Sequence, residues 1–228
     1  MESMVDVHTL RYPQNSHRKQ VILPKYSVEL AEFFGIMMGD GGINNPWQAN
    51  ITLNSIKDAK YSKYISRLCK RLFGIIPAIR KRKTRNALVV SLSSTSVVDF
   101  LVENGLVRGN KLKTGLRIPK WILEKPLYQK ACVRGLIDTD GCIFVHVHKV
   151  RGKIYKNIGL SFVSLSKELI FQVADIFAEF GIMPHITKRG QDIYLYQVDA
   201  VVKYLKVFGT SNERISSVYN KWRDARAV

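Results

Sequence analysis

The chain repeats itself at half its length. Phe33-Phe34-Gly35-Ile36-Met37-Met38-Gly39-Asp40-Gly41 and Val133-Arg134-Gly135-Leu136-Ile137-Asp138-Thr139-Asp140-Gly141 are both apolar helical stretches that end in Asp-Gly, and their aspartates lie 100 residues apart. The echo continues downstream. Phe73-Gly74-Ile75-Ile76-Pro77-Ala78-Ile79-Arg80-Lys81-Arg82 returns as Phe180-Gly181-Ile182-Met183-Pro184-His185-Ile186-Thr187-Lys188-Arg189. Val97-Val98-Asp99-Phe100-Leu101 before Gly105 returns as Val201-Val202-Lys203-Tyr204-Leu205 before Gly209. A period this long is the size of a domain, too long for a solenoid repeat. The chain is therefore a duplicated fold, with one carboxylate at the end of one helix in each copy.

Each half predicts the same order of elements. A motif helix (27–39, 126–139) precedes two strands (43–54, then 142–164 with a turn near Gly152). A helix follows (57–73, 167–180), stopped by a glycine just past its end. Two more strands (76–83 with 87–93, 184–189 with 192–198) and helical material close each copy. Residues 1–24 read as an irregular basic arm, 25–105 as the first repeat, 106–125 as a linker and 126–228 as the second repeat. In strand 142–150, Ile143, Val145 and Val147 face one way, while Cys142, Phe144, His146 and His148 face the other. One sheet face would meet helices and the other would stay open.

Charge says what that open face meets. Lys and Arg outnumber Asp and Glu by 36 to 18, a net charge of +18, which attracts polyanions. Arg80, Lys81, Arg82, Lys149, Arg151, Lys188 and Arg189 would line a saddle of two antiparallel sheets lying along a nucleic-acid duplex. Three cysteines without CxxC spacing indicate a reducing, intracellular (cytoplasmic) setting. The sequence offers no apolar run long enough for a membrane span and no signal-peptide core near its start. His146-x-His148 with Cys142 suggests zinc only weakly, since no second cluster completes four ligands. The histidines are better read as facing nucleic acid.

The repeated aspartates carry the chemistry. Gly35 with Gly39, and Gly135 with Thr139, put small residues four apart on one helix face, where two backbones can approach closely. If the motif helices pack there, Asp40 and Asp140 meet. Each then sits at a helix C-terminus, already unfavourable for negative charge, and repels the other. Divalent cations relieve both penalties. All-oxygen ligation by carboxylates and terminal backbone carbonyls suits Mg²⁺, with Mn²⁺ or Ca²⁺ as substitutes, and the chemistry that follows is metal-assisted phosphodiester hydrolysis.

On these residues the sequence resembles the LAGLIDADG homing endonucleases, in particular the single-chain, two-motif form similar to archaeal intron-encoded members. The second motif matches closely and the first more loosely, and the likeness spans about residues 26–220. The resemblance implies an α+β fold of two pseudo-symmetric αββαββα repeats with motif helices packed at the interface. It also implies a monomer cutting a long asymmetric double-stranded DNA target that its sheets read in the major groove, in the service of intron homing. The family's metal-binding acids fall on Asp40 and Asp140, with carbonyls from Gly39 and Thr139. Asp138 is not a ligand in the family and would hydrogen-bond backbone near the interface. By position, the family's basic residue in each half is Lys111 (Lys113 as substitute) and Arg214. Asn54 and Ser164 stand where the family often places Gln or Lys in its solvent network. The alternative function is an RNA-binding maturase that assists splicing of the host intron. A regulator on this scaffold usually lacks the acids that this chain retains.

Overall fold

The computed structural model describes residues 20–226 except 84, 112 and 114. Most of the expected basic arm, residues 1–19, lies outside the described residues.

Helix α1 (Val28–Met38) is started by Ser27, whose hydroxyl accepts from the Leu30 amide. Strands β1 (Gly41–Asn45) and β2 (Gln48–Asn54) follow, then α2 (Ala59–Phe73), β3 (Ala78–Lys81), β4 (Ala87–Ser93) and α3 (Thr95–Glu103). A single helical turn, α4 (Lys120–Leu123), lies in the stretch that the sequence marks as a linker. The second copy then runs α5 (Pro126–Asp140), β5 (Gly141–Val150), β6 (Lys153–Val163), α6 (Lys167–Glu179), β7 (His185–Ile186), β8 (Asp192–Leu195), α7 (Val198–Val207) and α8 (Glu213–Asp224). Both sheets are antiparallel and four-stranded with the same order, β1-β2-β4-β3 and β5-β6-β8-β7. The α+β architecture of two α-ββ-α-ββ units is the one the duplication calls for.

Glycines in the left-handed conformation stop the chain where the sequence signals it, at Gly74 (φ 71°) after α2 and Gly181 (φ 66°) after α6. Two strands are shorter than the pattern suggests. β3 covers only 78–81, because Pro77 has no N–H to give a ladder. β7 covers only 185–186, because the chain turns back at 187–190, where the Gly190 amide donates to the Thr187 carbonyl.

The core is formed where α1 and α5 cross between the sheets. Leu30, Phe33, Phe34 and Ile36 of α1 and Cys132, Val133, Leu136 and Ile137 of α5 are fully buried. No spacer separates the two backbones. A methyl group at Gly35 would lie 2.1 Å from the Cys132 carbonyl oxygen, and one at Gly135 would lie 2.4 Å from that of Glu32. At the end of the seam a methyl on Gly39 would strike Thr139 Oγ1 at 2.0 Å.

Alternation along β5 holds over its whole length, but the covering helices do not. Ile143 is buried, whereas Val145 and Val147 are 39% and 56% exposed. The β5–β6 hairpin extends beyond the body, so its outer face is bare there. Among the described residues no helix is long and apolar enough to cross a membrane.

Candidate active site

The packing of α1 on α5 carries Asp40 and Asp140 to one place. Asp140 Oδ2 lies 3.4 Å from where a Cβ on Gly39 would stand, beside the backbone of Asp40. Burial pushes the Asp40 carboxyl up to about 7, and the carboxylates of Asp140 and then Asp58 push the same way. Lys111 and Arg214 pull against them. Burial also raises Asp140, against the same two cations. Its inner side is crowded by protein, although the residue as a whole is open to solvent.

Both basic residues reach the helix ends. Lys111 Nζ donates to the carbonyls of Met38 (2.7 Å), Gly39 and Gly41 (2.9 Å), which cap α1. Burial holds its ammonium below the usual lysine range, while the two aspartates act in the other direction. Arg214 opens α8, where Asn212 accepts its amide at 3.0 Å. Its guanidinium reaches across to the end of α5, donating to the carbonyls of Asp138 (3.0 Å), Thr139 (3.3 Å) and Gly141 (3.1 Å). In each half a side-chain cation thus sits on the negative pole of a motif helix, a stabilising position for positive charge.

Arg214 has an additional anchor that lies outside its own half and that sequence reasoning missed. Asp58, just before α2, accepts from Arg214 Nε at 3.1 Å and from Asn212 Nδ2 at 2.8 Å. A second missed tie lies deeper. Glu32 is 2% exposed in the middle of α1 and pairs with Arg134 at 2.5 Å, while Tyr64 and Ser211 hydroxyls donate to its other oxygen. The available signal was the charge of Glu32 and of Arg134, each set between apolar or small neighbours in its motif helix. Asp138 is 1% exposed, and burial pushes its carboxyl up to about 7. It accepts from Thr210 Oγ1 and from the Ser211 amide at 2.7 Å, which is the backbone-bonding role expected of it.

The other candidates separate by face. Arg80 and Arg82 line an open groove of about 440 Å³ that runs from Asp40 over β2 and β4, past Gln48, Asn50, Thr52 and Ser91. Lys81 pairs with Leu88 on the opposite face, so only two residues of that basic run point into the groove. His146 and His148 line a second depression of about 400 Å³ with Phe144, Asn157 and Tyr196. Lys149 alternates onto the face opposite His148, and Arg151 (φ 48°) forms the hairpin turn with Gly152. Lys188 and Arg189 lie in the turn before β8. The Asn54 carboxamide oxygen is occupied by the amides of Ile56 and Lys57, and Ser164 Oγ accepts from the Ser166 amide. Both side chains are thus tied into turns, and Asn54 is not among the residues lining the groove at Asp40. Lys113 is exposed in the turn after Asn110.

Among the described residues no group of three or more His, Cys, Asp or Glu side chains is gathered for a metal. The donor set at the helix ends is two carboxylates and a ring of carbonyl oxygens, all hard oxygen ligands suited to Mg²⁺, and it is incomplete without oxygens from outside the protein. Burial is the chief cause that raises both acids, and added positive charge beside them would favour their ionised forms. The donor types fit a divalent cation, which Asp40 and Asp140 would hold as its anionic ligands.

The second half of the chain, residues 128–223, matches the model of the LAGLIDADG-like domain, and residues 31–113 match that of the WhiA LAGLIDADG-like domain. The chain belongs to the LAGLIDADG family. Its two LAGLIDADG domains superpose on solved meganucleases. One is I-SmaMI bound to uncleaveable DNA, with 10% identity, TM-score 0.57, and 88% of this chain and 89% of that one covered. Another is I-DmoI in complex with DNA and Mn, at 17% identity and TM-score 0.53, with 81% and 97% covered. A third is the I-LtrWI LAGLIDADG homing endonuclease bound to target DNA, at 12% identity and TM-score 0.58, with 86% and 89% covered. At such identities the likeness is one of fold. Sequence relatives include the replication factor C small subunit of Methanocaldococcus jannaschii, 30% identical over 200 residues, and the tRNA-splicing ligase RtcB of Methanopyrus kandleri, 25% identical over 209 residues. The chain covers only 10% and 19% of those two proteins, while 83% and 80% of the chain is matched.

The electrostatics of the LAGLIDADG site give a stability prediction. A carboxyl raised to about 7 in the folded state binds its proton more tightly there than in the unfolded chain. The metal-free fold therefore loses stability from this group as pH rises from about 4 to about 7. In chelator, the melting temperature of Asp40→Asn minus that of the wild type should widen between pH 5 and pH 8, and Mg²⁺ or Mn²⁺ should narrow it again at pH 8. A difference that stays constant with pH would show that Asp40 is not desolvated as described.

Proposed function

We propose that the chain is a site-specific double-strand DNA endonuclease that hydrolyses one phosphodiester bond per strand at an intron-insertion site. The observation that carries this reading is the convergence of Asp40 and Asp140, one from each repeat, on a seam flanked by Lys111 and Arg214. Binding alone does not need two mutually repelling, desolvated carboxylates. The solved LAGLIDADG neighbours were captured on DNA targets, one of them with Mn.

When bound, divalent cations supply an activated water and charge stabilisation at the scissile phosphate. Asp40 and Asp140 would hold them, with the carbonyls of Gly39 and Thr139 as neutral donors that Lys111 and Arg214 now occupy. The chain's own residues do the rest. Lys111 and Arg214 offset the negative charge that accumulates as the bond breaks, and they keep the helix ends closed around the acids. Asp58 fixes the Arg214 guanidinium, so the second half's cation is held by the first half's carboxylate. Arg80 and Arg82 supply positive charge along the groove leading to Asp40, which draws the duplex towards it. The protein acts as an intracellular monomer, because its duplication supplies both half-sites in one chain.

The purified protein with Mg²⁺ should cut an intron-less duplex carrying the insertion site in both strands. Intact DNA across Mg²⁺ and Mn²⁺ concentrations, with tighter binding to the intron RNA, would favour the maturase instead. Duplex binding should weaken about a thousandfold between roughly 50 and 200 mM salt, as expected when some six or more phosphates are neutralised. A shallow salt response in a filter or anisotropy titration would contradict a basic surface that tracks the backbone.

A further inference from the structure

The open faces of the two sheets share a topology and differ in chemistry. On the first sheet the side chains are amides, hydroxyls and guanidinia. Gln48 donates to Ser93 (3.0 Å), Asn50 donates to Gln48 (3.1 Å) and Ser91 donates to Asn50 (2.7 Å), with Arg80 and Arg82 alongside. These groups match the hydrogen-bonding edges of purines in a major groove: guanidinium to guanine, carboxamide to adenine.

The second sheet presents rings. His146 stacks on His148 at 5.2 Å and 21°, and His148 stacks on Tyr155 across the hairpin at 5.6 Å and 16°. Tyr194 stacks on Tyr196 at 5.2 Å and 3°. Phe144 lies over Gly159, where a methyl would approach its ring to 2.5 Å. Strand pairing puts Phe144 opposite Gly159, His146 opposite Asn157, His148 opposite Tyr155 and Tyr194 opposite Ser161, all on the open face, and Tyr196 lines the same depression as Phe144, His146 and His148.

The stacking decides what such a surface can touch. Side chains stand roughly perpendicular to a sheet, so rings stacked along it spend their faces on one another and turn their edges outward. Splayed single-stranded bases need exposed ring faces to lie on. The outward tips carry imidazole nitrogens and phenol oxygens, but the C–H rims beside those tips, together with the Phe144 ring, give apolar surface that in a major groove finds the thymine C5-methyl group.

We propose that the two half-sites of the DNA target are read by different means: the half under β5, β6 and β8 through thymine methyl groups packed on ring edges, and the half under β1, β2 and β4 through hydrogen bonds to purines. The inference rests on the duplex-binding part of the function proposed above, and it makes the target chemically lopsided as well as asymmetric.

The test uses the full chain in chelator, where duplexes are bound without being cut. Binding is first selected from a pool of random-sequence DNA duplexes, and thymine is then replaced by uracil in one half of the selected duplex at a time. Uracil removes only the methyl. In one half each contacted thymine so replaced should weaken binding about three- to fourfold, and in the other half replacement should have almost no effect. His146→Ala and Tyr196→Ala, both at exposed positions, should abolish the uracil penalty, and Asn50→Ala should leave it intact. Equal penalties in the two halves, or a penalty that survives both ring variants, would overturn the proposal. A uracil pattern as described on a protein that never cuts DNA would support this inference and remove the nuclease reading alone. Preference for single-stranded RNA over the selected duplex would overturn both.

Discussion

Asp40→Asn and Asp140→Asn should each leave a folded protein that still binds its DNA duplex and has lost cleavage by about a thousandfold or more, the scale expected when a metal's several kcal/mol of transition-state stabilisation is removed. Asparagine preserves shape and removes the anionic ligand. The same change should stabilise the metal-free protein, because a desolvated carboxylate facing a second carboxylate is a standing penalty. For Asp40, with its carboxyl pushed up to about 7, the gain is about 2 kcal/mol after allowance for solvent screening, or roughly 4–8 °C in melting temperature. A side chain that belonged to an ordinary surface turn would give neither effect. Strand-resolved cleavage assays and thermal melts on the same preparations separate the two. Full cleavage by either variant would remove the carboxylates from the mechanism.

Gly35→Ala and Gly135→Ala should be the most destabilising single-methyl additions in the chain. Each new methyl meets backbone of the other motif helix, at 2.1 Å from the Cys132 oxygen or 2.4 Å from the Glu32 oxygen. Backbone cannot turn aside as a flexible side chain can, so the helices must separate. The expected loss is about 3 kcal/mol or more, at the upper end of overpacking costs, although alanine is intrinsically the better helix former. Cleavage should fall further than the folded fraction, because separating α1 from α5 also separates Asp40 from Asp140. Gly42→Ala is the internal control, since nothing lies within 4 Å of a methyl there. Equal denaturation midpoints for all three variants would contradict the close-packed seam.

The parts of this molecule that were legible in its sequence are those written twice or written periodically. The duplicated motif helices, the small residues on their shared face and the terminal aspartates could be read because 3.6-residue spacing and repetition are local signals. Lys111 and Arg214 could be placed only by resemblance and position, and the structure sets both on the carbonyls that end the motif helices. The Asp58–Arg214 pair joins residues 156 apart, and Glu32–Arg134 joins residues 102 apart. Nothing periodic marks such contacts, because they follow from how the two halves dock. Arg80-Lys81-Arg82 read as one basic patch, yet strand alternation sends Lys81 to the other face. Val145 and Val147 kept the alternation of a half-buried strand but lie on a hairpin that outruns its helices.

The claim beneath all of this is that Asp40 and Asp140 jointly hold cations at the DNA backbone. Crystals of the protein on its selected duplex, grown with Mn²⁺, test it directly through anomalous scattering. Manganese peaks are expected between the carboxylates of Asp40 and Asp140 and phosphate oxygens of both strands. Carboxylates turned away from the DNA, or manganese found only elsewhere in the complex, would contradict it.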